Sequence, residues 1–276
     1  MYLFVDVEAN GIPRERDASP SDVKKWPRLV QIAWALTDDD GRELRTQAFV
    51  VRPDGFDIPA SVEKRRGITT KTAQRLGVEI GAILRAFAKD LTNARAVVAH
   101  NANYDERVIR AEFYRTGRRM NPFGGKKLYC TMRASTGLCK LAGGPSGYKW
   151  PTLQELHQFL FNTGFESAHD AAADVRACVR CFVELKRQGL IGDEELFQEI
   201  YRLADSSDGF ERGDFVNDVF GQFEDQGFIT LRQREALTRV RDMLLRKTEP
   251  RGAARRPFHA LKWWKPRQLH PTKEQA

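Results

Sequence analysis

Tyr2-Leu3-Phe4-Val5-Asp6-Val7-Glu8 is the stretch whose reading decides the fold. An apolar run of this kind marks a strand buried in a sheet, yet it is broken by two carboxylates two residues apart. Side chains alternate along a strand, so Asp6 and Glu8 project from one face, about 7 Å apart along the chain. Like charges side by side in a buried strand are costly unless cations or hydrogen-bond donors offset them. An edge strand with solvated acids is the other reading of this stretch taken alone.

Working outward, Ala9-Asn10-Gly11 signals a turn, and a polar, proline-punctuated loop runs from Ile12 to Pro27. Rooted beside the two acids, it carries Arg14, Arg16, Lys24, Lys25 and Trp26, which suits it to hold an anionic substrate. Leu29 to Leu36 and Leu44 to Val51 read as strands joined by the turn Asp38-Asp39-Asp40-Gly41, so three strands form an antiparallel meander. Short helices are expected from Ser61 to Arg66 and Thr69 to Gly77, and a longer one from Glu79 to Leu91. Ala96-Val97-Val98-Ala99 is a short buried strand that opens through His100-Asn101-Ala102-Asn103-Tyr104-Asp105 into a helix over 106–115. Functional residues collect at such strand tips in open α/β sheets, although an acid in a first helical turn also complements the helix dipole. Lys127 to Cys130 reads as a fifth strand followed by a helix to Leu141, and Thr152 with Glu155 has capping-box spacing for a helix through Phe161. The longest helix of the first 190 residues begins near Ser167-Ala168-His169-Asp170. His169 and Asp174 then share a site only if His169 stands at or before the first turn, which Ser167 as the cap would permit.

The chain has 276 residues, 41% hydrophobic and 30% charged, enough for a substantial core in a soluble protein. No apolar run approaches a bilayer span and no secretory leader pattern opens the chain, so a cytoplasmic protein with no membrane association is expected. The four cysteines are too few for a disulfide framework. Cys178 and Cys181 have C-x-x-C spacing but lie in a helical, apolar stretch, where reduced core thiols are the expectation. Nine Lys/Arg against two Glu from Arg246 onward carry seven of the eight formal positive charges. Such a cationic tail favours polyanions, nucleic acid above all; a solubilising extension is the alternative.

Three segments thus bring acids to the edge of one sheet. Their order and spacing are D-x-E at Asp6 and Glu8, H-N-x-x-x-D from His100 and Asn101 to Asp105, and H-D-x-x-x-D from His169 to Asp174. Together with Trp150-Pro151-Thr152-Leu153-Gln154-Glu155-Leu156 ahead of the third motif, they resemble the DEDDh (DnaQ-like) exonucleases over roughly residues 1–188. The resemblance implies a ribonuclease H-like α/β fold, a mixed five-stranded sheet flanked by helices, and removal of nucleoside 5'-monophosphates from the free 3' end of a nucleic acid. Four converging carboxylates would repel strongly, and one or more would stay protonated without a counter-charge. Oxygen-only ligands suit two divalent cations, Mg²⁺ or Mn²⁺, rather than zinc. By the resemblance, Asp6 would bridge both ions, Glu8 and Asp174 would complete one site, Asp105 would hold the other directly or through water, and His169 would be the general base. Where the family often carries threonine after its first glutamate, this chain has Ala9-Asn10, leaving backbone N–H groups there to meet the terminal nucleotide. His100 and Asn101 are the further candidates for substrate binding, with Asn101 either touching substrate or positioning Asp105. A catalytically silent scaffold that binds nucleic acid or a polymerase is the rival reading; the presence of all five catalytic positions argues for activity.

Residues 1–190 form the expected exonuclease domain, 191–249 a small helical appendage, and 250–276 a basic tail. In the appendage Phe215, Val216, Val219, Phe220 and Phe223 share one face, and Leu237, Val240 and Leu244 another, with Gly227 as the stop between them and Thr230 and Gln233 as the next capping box. Two such stripes bury each other in a hairpin, dock on the nuclease domain, or receive a protein partner. Pro257, Phe258, Trp263 and Trp264 among the tail's cations suit single-stranded nucleic acid, with an acidic protein as the rival partner.

Overall fold

The computed structural model describes residues 1–144, 147–166, 170–192, 194–206 and 213–248. Strands β1 (Tyr2–Ala9), β2 (Leu29–Thr37), β3 (Glu43–Val50), β4 (Ala96–Ala99) and β5 (Lys127–Cys130) form one sheet in the order β3-β2-β1-β4-β5. The β1/β2 and β2/β3 pairs are antiparallel, and the β1/β4 and β4/β5 pairs are parallel. The meander and the five strands are those expected, each end within one residue. Helices on both faces close the fold, as parallel strands require.

Alternation along β1 assigns those faces. Leu3, Val5 and Val7 join Ile32, Trp34 and Val97 in one core, covered by α3 (Ile80–Thr92) through Ile83, Leu84 and Phe87 and by α4 (Ala102–Arg115) through Val108, Ile109 and Phe113. Tyr2 and Phe4 face the other way, with Ala33 and Ala35 of β2, toward α6 (Leu153–Phe161) and α7 (Ala171–Arg187). On that side Val175, Cys178, Cys181, Phe182 and Leu185 of α7 are buried, and both thiols are free. Small side chains on both sides, Ala33 and Ala35 of β2 and Ala171 and Ala177 of α7, let the helix lie close on the sheet, and close packing leaves few alternative positions for it. The helices α1 (Ala60–Arg66) and α2 (Thr70–Leu76) enclose a satellite cluster of Val30, Ile58, Val62 and Ala73.

His100 ties three elements together at the tip of β4. Its Nδ1 meets the Thr131 hydroxyl at 2.9 Å, where β5 turns into α5 (Thr131–Cys139), and its Nε2 meets the Pro151 carbonyl at 3.0 Å, just ahead of α6. A carbonyl only accepts, so Nε2 carries the proton and Nδ1 of the neutral ring accepts from Thr131. Both ring nitrogens are thus engaged inside the protein, which gives the expected substrate residue His100 a structural task.

Helix boundaries differ from expectation at several places; α4 opens at Ala102, four residues ahead of 106. The helix carrying Asp174 starts at Ala171, and its cap is Asp170, whose Oδ1 accepts the N–H groups of Ala172 and Ala173, both at 3.1 Å. Residues 167–169, with the expected Ser167 cap, lie outside the described residues. The C-terminal stripes do not simply bury each other. The helices α8 (Glu194–Asp205), α9 (Gly213–Gln226) and α10 (Leu231–Thr248) share a three-helix core of Phe197, Ile200, Val216, Val219, Phe223, Leu237, Val240 and Leu244, whereas Phe215 turns out to solvent. The Thr230 and Gln233 box forms, with reciprocal bonds of 2.9 and 3.2 Å. This unit seats against the β5 edge: Ile229 N–H donates to Leu190 O at 3.0 Å, and Lys127 Nζ lies 4.3 Å over the Phe223 ring. The basic tail over 250–276 is outside the described residues, among which no helix is long and apolar enough to cross a membrane.

Two predictions concern this framework. Gly227 adopts φ +77°, and a Cβ there would stand 2.6 Å from Cδ1 of Tyr129, a ring wedged in the core beside Tyr2 and Phe182. Gly227→Ala therefore lowers the unfolding free energy by about 2 to 4 kcal/mol in urea titration, through left-handed strain and overpacking together. Enclosure of the His100 ring pulls its pKa down from 6.5 to about 4, against the opposing Pro151 hydrogen bond. The folded state therefore disfavours the proton, so the stability this group confers is complete above pH 6.5 and disappears as pH falls toward 4. Across that window wild type loses up to about 3 kcal/mol more than His100→Gln, measured by urea titration at a series of pH values.

Candidate active site

Asp6 and Glu8 fall on the same side of β1 as Phe4, and that side faces α7. Asp174 occupies the first turn of α7, four residues past the Asp170 cap, and its side chain turns back to the sheet with only 8% of its surface exposed. The result is a cluster in which one carboxylate oxygen each from Asp6, Glu8 and Asp174 lies within 4.8 Å of the others. Two segments 166 residues apart in sequence are thereby joined at one point.

Asp105 stands outside that cluster. It arrives from the opposite layer, in the first turn of α4, and is 3% exposed. Its Oδ1 accepts the backbone N–H of Val7 at 3.1 Å, which anchors the acid between the two residues of the D-x-E pair. Burial pushes its carboxyl well above the ordinary range, the Val7 bond pulls it partly back, and the charge on Asp174 pushes it further up. Three carboxylates rather than four therefore converge, with the fourth behind them and favouring its proton in the absence of a cation. His169 lies outside the described residues.

The other expected substrate contacts divide between support and surface. Ala9 ends β1 with 8% exposure, and Asn10 ties off the loop that follows: its N–H donates to Arg28 O at 2.9 Å and its Oδ1 accepts Arg28 N–H at 2.8 Å. Asn101 has a left-handed backbone, φ +84° and ψ +46°, at the start of α4, and its amide does not cap that helix. It lines a groove of about 480 Å³ with Arg16, Trp26, Tyr104, Arg107 and Trp150. Trp150 presents an exposed ring to this groove, whereas Trp26 is buried, its Nε1 donating to Ser19 O at 3.2 Å. Of the loop cations, Lys25 is paired with Glu15 at 2.7 Å and Asp22 at 3.3 Å.

Several residues around the site were not singled out from the sequence. Gln31 pairs with Glu8 across β1 and β2, and its Nε2 donates to Oδ2 of the Asp170 cap at 3.3 Å, linking the sheet to the start of α7. Its signal was a lone amide in the apolar run Leu29 to Leu36. Glu112, 1% exposed on the apolar side of α4, accepts from Arg28 Nε and Leu29 N–H, both at 3.0 Å, and from Arg115 at 2.8 Å. A glutamate among apolar helix positions was its only sign.

Chemically, the three-carboxylate cluster is an all-oxygen donor set with concentrated negative charge, which fits hard divalent cations. Comparison with known proteins agrees with this chemistry. A family model described as Exonuclease (RNase_T) matches residues 3–182. Among curated proteins, none matches the chain. Among solved structures the chain is similar to exonuclease I, with a TM-score of 0.55 and 22% identity over 75% of this chain and 46% of that one. It is similar to E. coli exonuclease I in complex with a dT13 oligonucleotide, with a TM-score of 0.53 and 22% identity over 72% and 43% of the two chains. The zinc-bound complex of E. coli exonuclease I with single-stranded DNA gives a TM-score of 0.54 and 20% identity over 74% and 43%. The chain spans less than half the length of these structures, and at such identities they establish the fold alone. On a five-stranded sheet with D-x-E on its first strand and with a family match over most of its length, the chain belongs to the Exonuclease (RNase_T) family, the DEDDh exonucleases of ribonuclease H-like fold.

Proposed function

We propose that the chain is a divalent-metal-dependent 3'-to-5' exonuclease that releases nucleoside 5'-monophosphates from single-stranded nucleic acid. The observation that carries this reading is the meeting of Asp6, Glu8 and Asp174 within 4.8 Å at a sheet edge. A pair of Mg²⁺ or Mn²⁺ ions, when bound, neutralises charge at the scissile phosphate and on the attacking and leaving oxygens. By the family resemblance Asp6 would be shared between two such ions, Glu8 and Asp174 would complete one site, and Asp105 would hold the other directly or through water. His169, next in sequence to the Asp170 cap, takes the proton of the attacking water, a task for which an imidazole titrating near neutral pH is suited. The water oxygen bonds to phosphorus as the bond to the 3' oxygen of the preceding nucleotide breaks, and that oxygen takes a proton from solvent to become the new 3' hydroxyl.

The groove between the 10–28 loop and the start of α4 supports a single strand as substrate. Arg16 and Arg107 can meet phosphates, the exposed Trp150 ring offers a stacking surface, and Asn101 holds a polar amide at the mouth. The E. coli exonuclease I complexes with dT13 and dA16 are consistent with that preference.

Mononucleotide release from matched 5'-labelled DNA and RNA oligomers tests the reading and separates the two sugars. With Mn²⁺ present, wild type shortens at least one of them stepwise from the 3' end, while Asp6→Asn and Asp174→Asn fall by at least about 10³-fold, the scale of lost electrostatic stabilisation. Wild type that binds either strand but releases nothing overturns the reading in favour of a silent scaffold. Thermal melting without substrate gives a second outcome. Removing one of the crowded charges raises the metal-free melting temperature of Asp174→Asn above that of wild type, and Mn²⁺ stabilises wild type but not the variant.

A further inference from the structure

Residues 10–28 form a loop closed at its base by the two Asn10–Arg28 hydrogen bonds. Apart from Arg14 N–H to Lys25 O at 2.8 Å, few long-range backbone bonds hold its interior, and a surface loop of this length is normally mobile. Helix α4 grips it through Tyr104, Arg107 and Arg115, of which only Arg115 reaches the 23–27 segment by hydrogen bonds to more than one carbonyl. Arg115, in the last turn of α4, donates from Nη2 to the carbonyls of Val23 at 2.6 Å and Trp26 at 2.7 Å, and from Nη1 to Pro27 O at 3.2 Å. The fork is aimed by Glu112 one turn earlier, whose Oε1 accepts the same Nη1 at 2.8 Å. Glu112 is 1% and Arg115 14% exposed, so these bonds form where water competes poorly. The carbonyls they hold belong to the segment that delivers Trp26 to the groove, and Arg107 of the same helix donates to Arg16 O further along the loop.

We infer that Arg115, aimed by Glu112, is a positioning residue that sets affinity for the single strand by holding the 10–28 loop as a preformed wall of the groove. The inference rests on the nuclease reading above. Arg115 touches neither the strand nor the carboxylate cluster; its contribution is that the wall is ordered before the strand arrives, so binding does not bear the cost of ordering it. Interactions that hold ground state and transition state alike change KM and leave kcat. Arginine is required because two Nη atoms in one plane reach three carbonyls, which one ammonium on a flexible stem does not.

Arg115→Lys keeps the charge opposite Glu112 and removes the fork, so it is the variant to measure in the full chain. Expected are a KM for a dT oligomer raised by about ten-fold with kcat within about two-fold of wild type, a matching loss in anisotropy Kd, and faster tryptic cleavage after Arg14, Arg16 or Lys24. A variant that merely folded less well would show the opposite split, a lower kcat from a smaller active fraction at unchanged KM. Wild type that binds and cuts, beside a variant with unchanged KM, Kd and loop cleavage, overturns the inference and leaves the nuclease reading standing. Wild type that neither binds nor cuts overturns that reading, and the inference with it.

Discussion

Side chains alternate along β1, sending Tyr2, Phe4, Asp6 and Glu8 to one face of the sheet and Leu3, Val5 and Val7 to the other. Every feature of the site depends on this alternation. The face that carries the acids is the one that α7 covers, and small side chains on both sides, Ala33 and Ala35 of β2 and Ala171 and Ala177 of α7, share that core. A larger residue at any of these four positions would lift the first turn of the helix, and Asp174 with it, away from Asp6 and Glu8. The cluster is therefore a product of small side chains at a helix–sheet contact as much as of the acids themselves.

That contact works against electrostatics. Three carboxylates brought within 4.8 Å repel, and helix and strand are held together by the apolar residues further along, Val175, Cys178, Phe182 and Leu185 against Phe4 and Tyr2. The repulsion is confined to the first turn of α7, while the apolar anchor runs along the rest of the helix. Asp105 avoids the crowd by approaching from the other layer and taking a proton-favouring, buried position behind Val7. The same sheet thus sorts four acids into a close group of three and a fourth, buried behind Val7, that favours its proton.

How much of this the sequence disclosed follows from the range of the interactions involved. Strand alternation and helical spacing are local, so the five strands and the shared face of Asp6 and Glu8 could be read directly. The Thr152 and Thr230 capping boxes were equally legible, since each closes within three residues. The start of α7 was not, because Ser167 and Asp170 are both good caps and the choice falls to Gln31, 139 residues away from Asp170, whose amide holds the Asp170 carboxylate. Asp105's separation from the other acids depends on which layer α4 occupies, and no spacing rule encodes that. His100 read as a site residue because it stands in a motif, but its ring is spent on Thr131 and Pro151, partners fixed only by the tertiary fold. For a similar reason the sequence did not show that the loop folds back on itself, pairing Lys25 with Glu15 and Asp22 and tying the Trp26 Nε1 to Ser19 while that ring stays in the groove wall.

The tie between Asn10 and Arg28 has a bearing on how such a protein can change over evolutionary time. With its two stems fastened to each other and to β1 and β2, the segment between them is a cassette: residues can be gained or lost inside it without moving Ala9 or Leu29. Doubling the length of a flexible loop costs only about 0.6 kcal/mol in closure entropy, so the sheet tolerates such exchange easily. Variation in what the groove accepts can thus accumulate in one insert while the acids stay where the strand puts them.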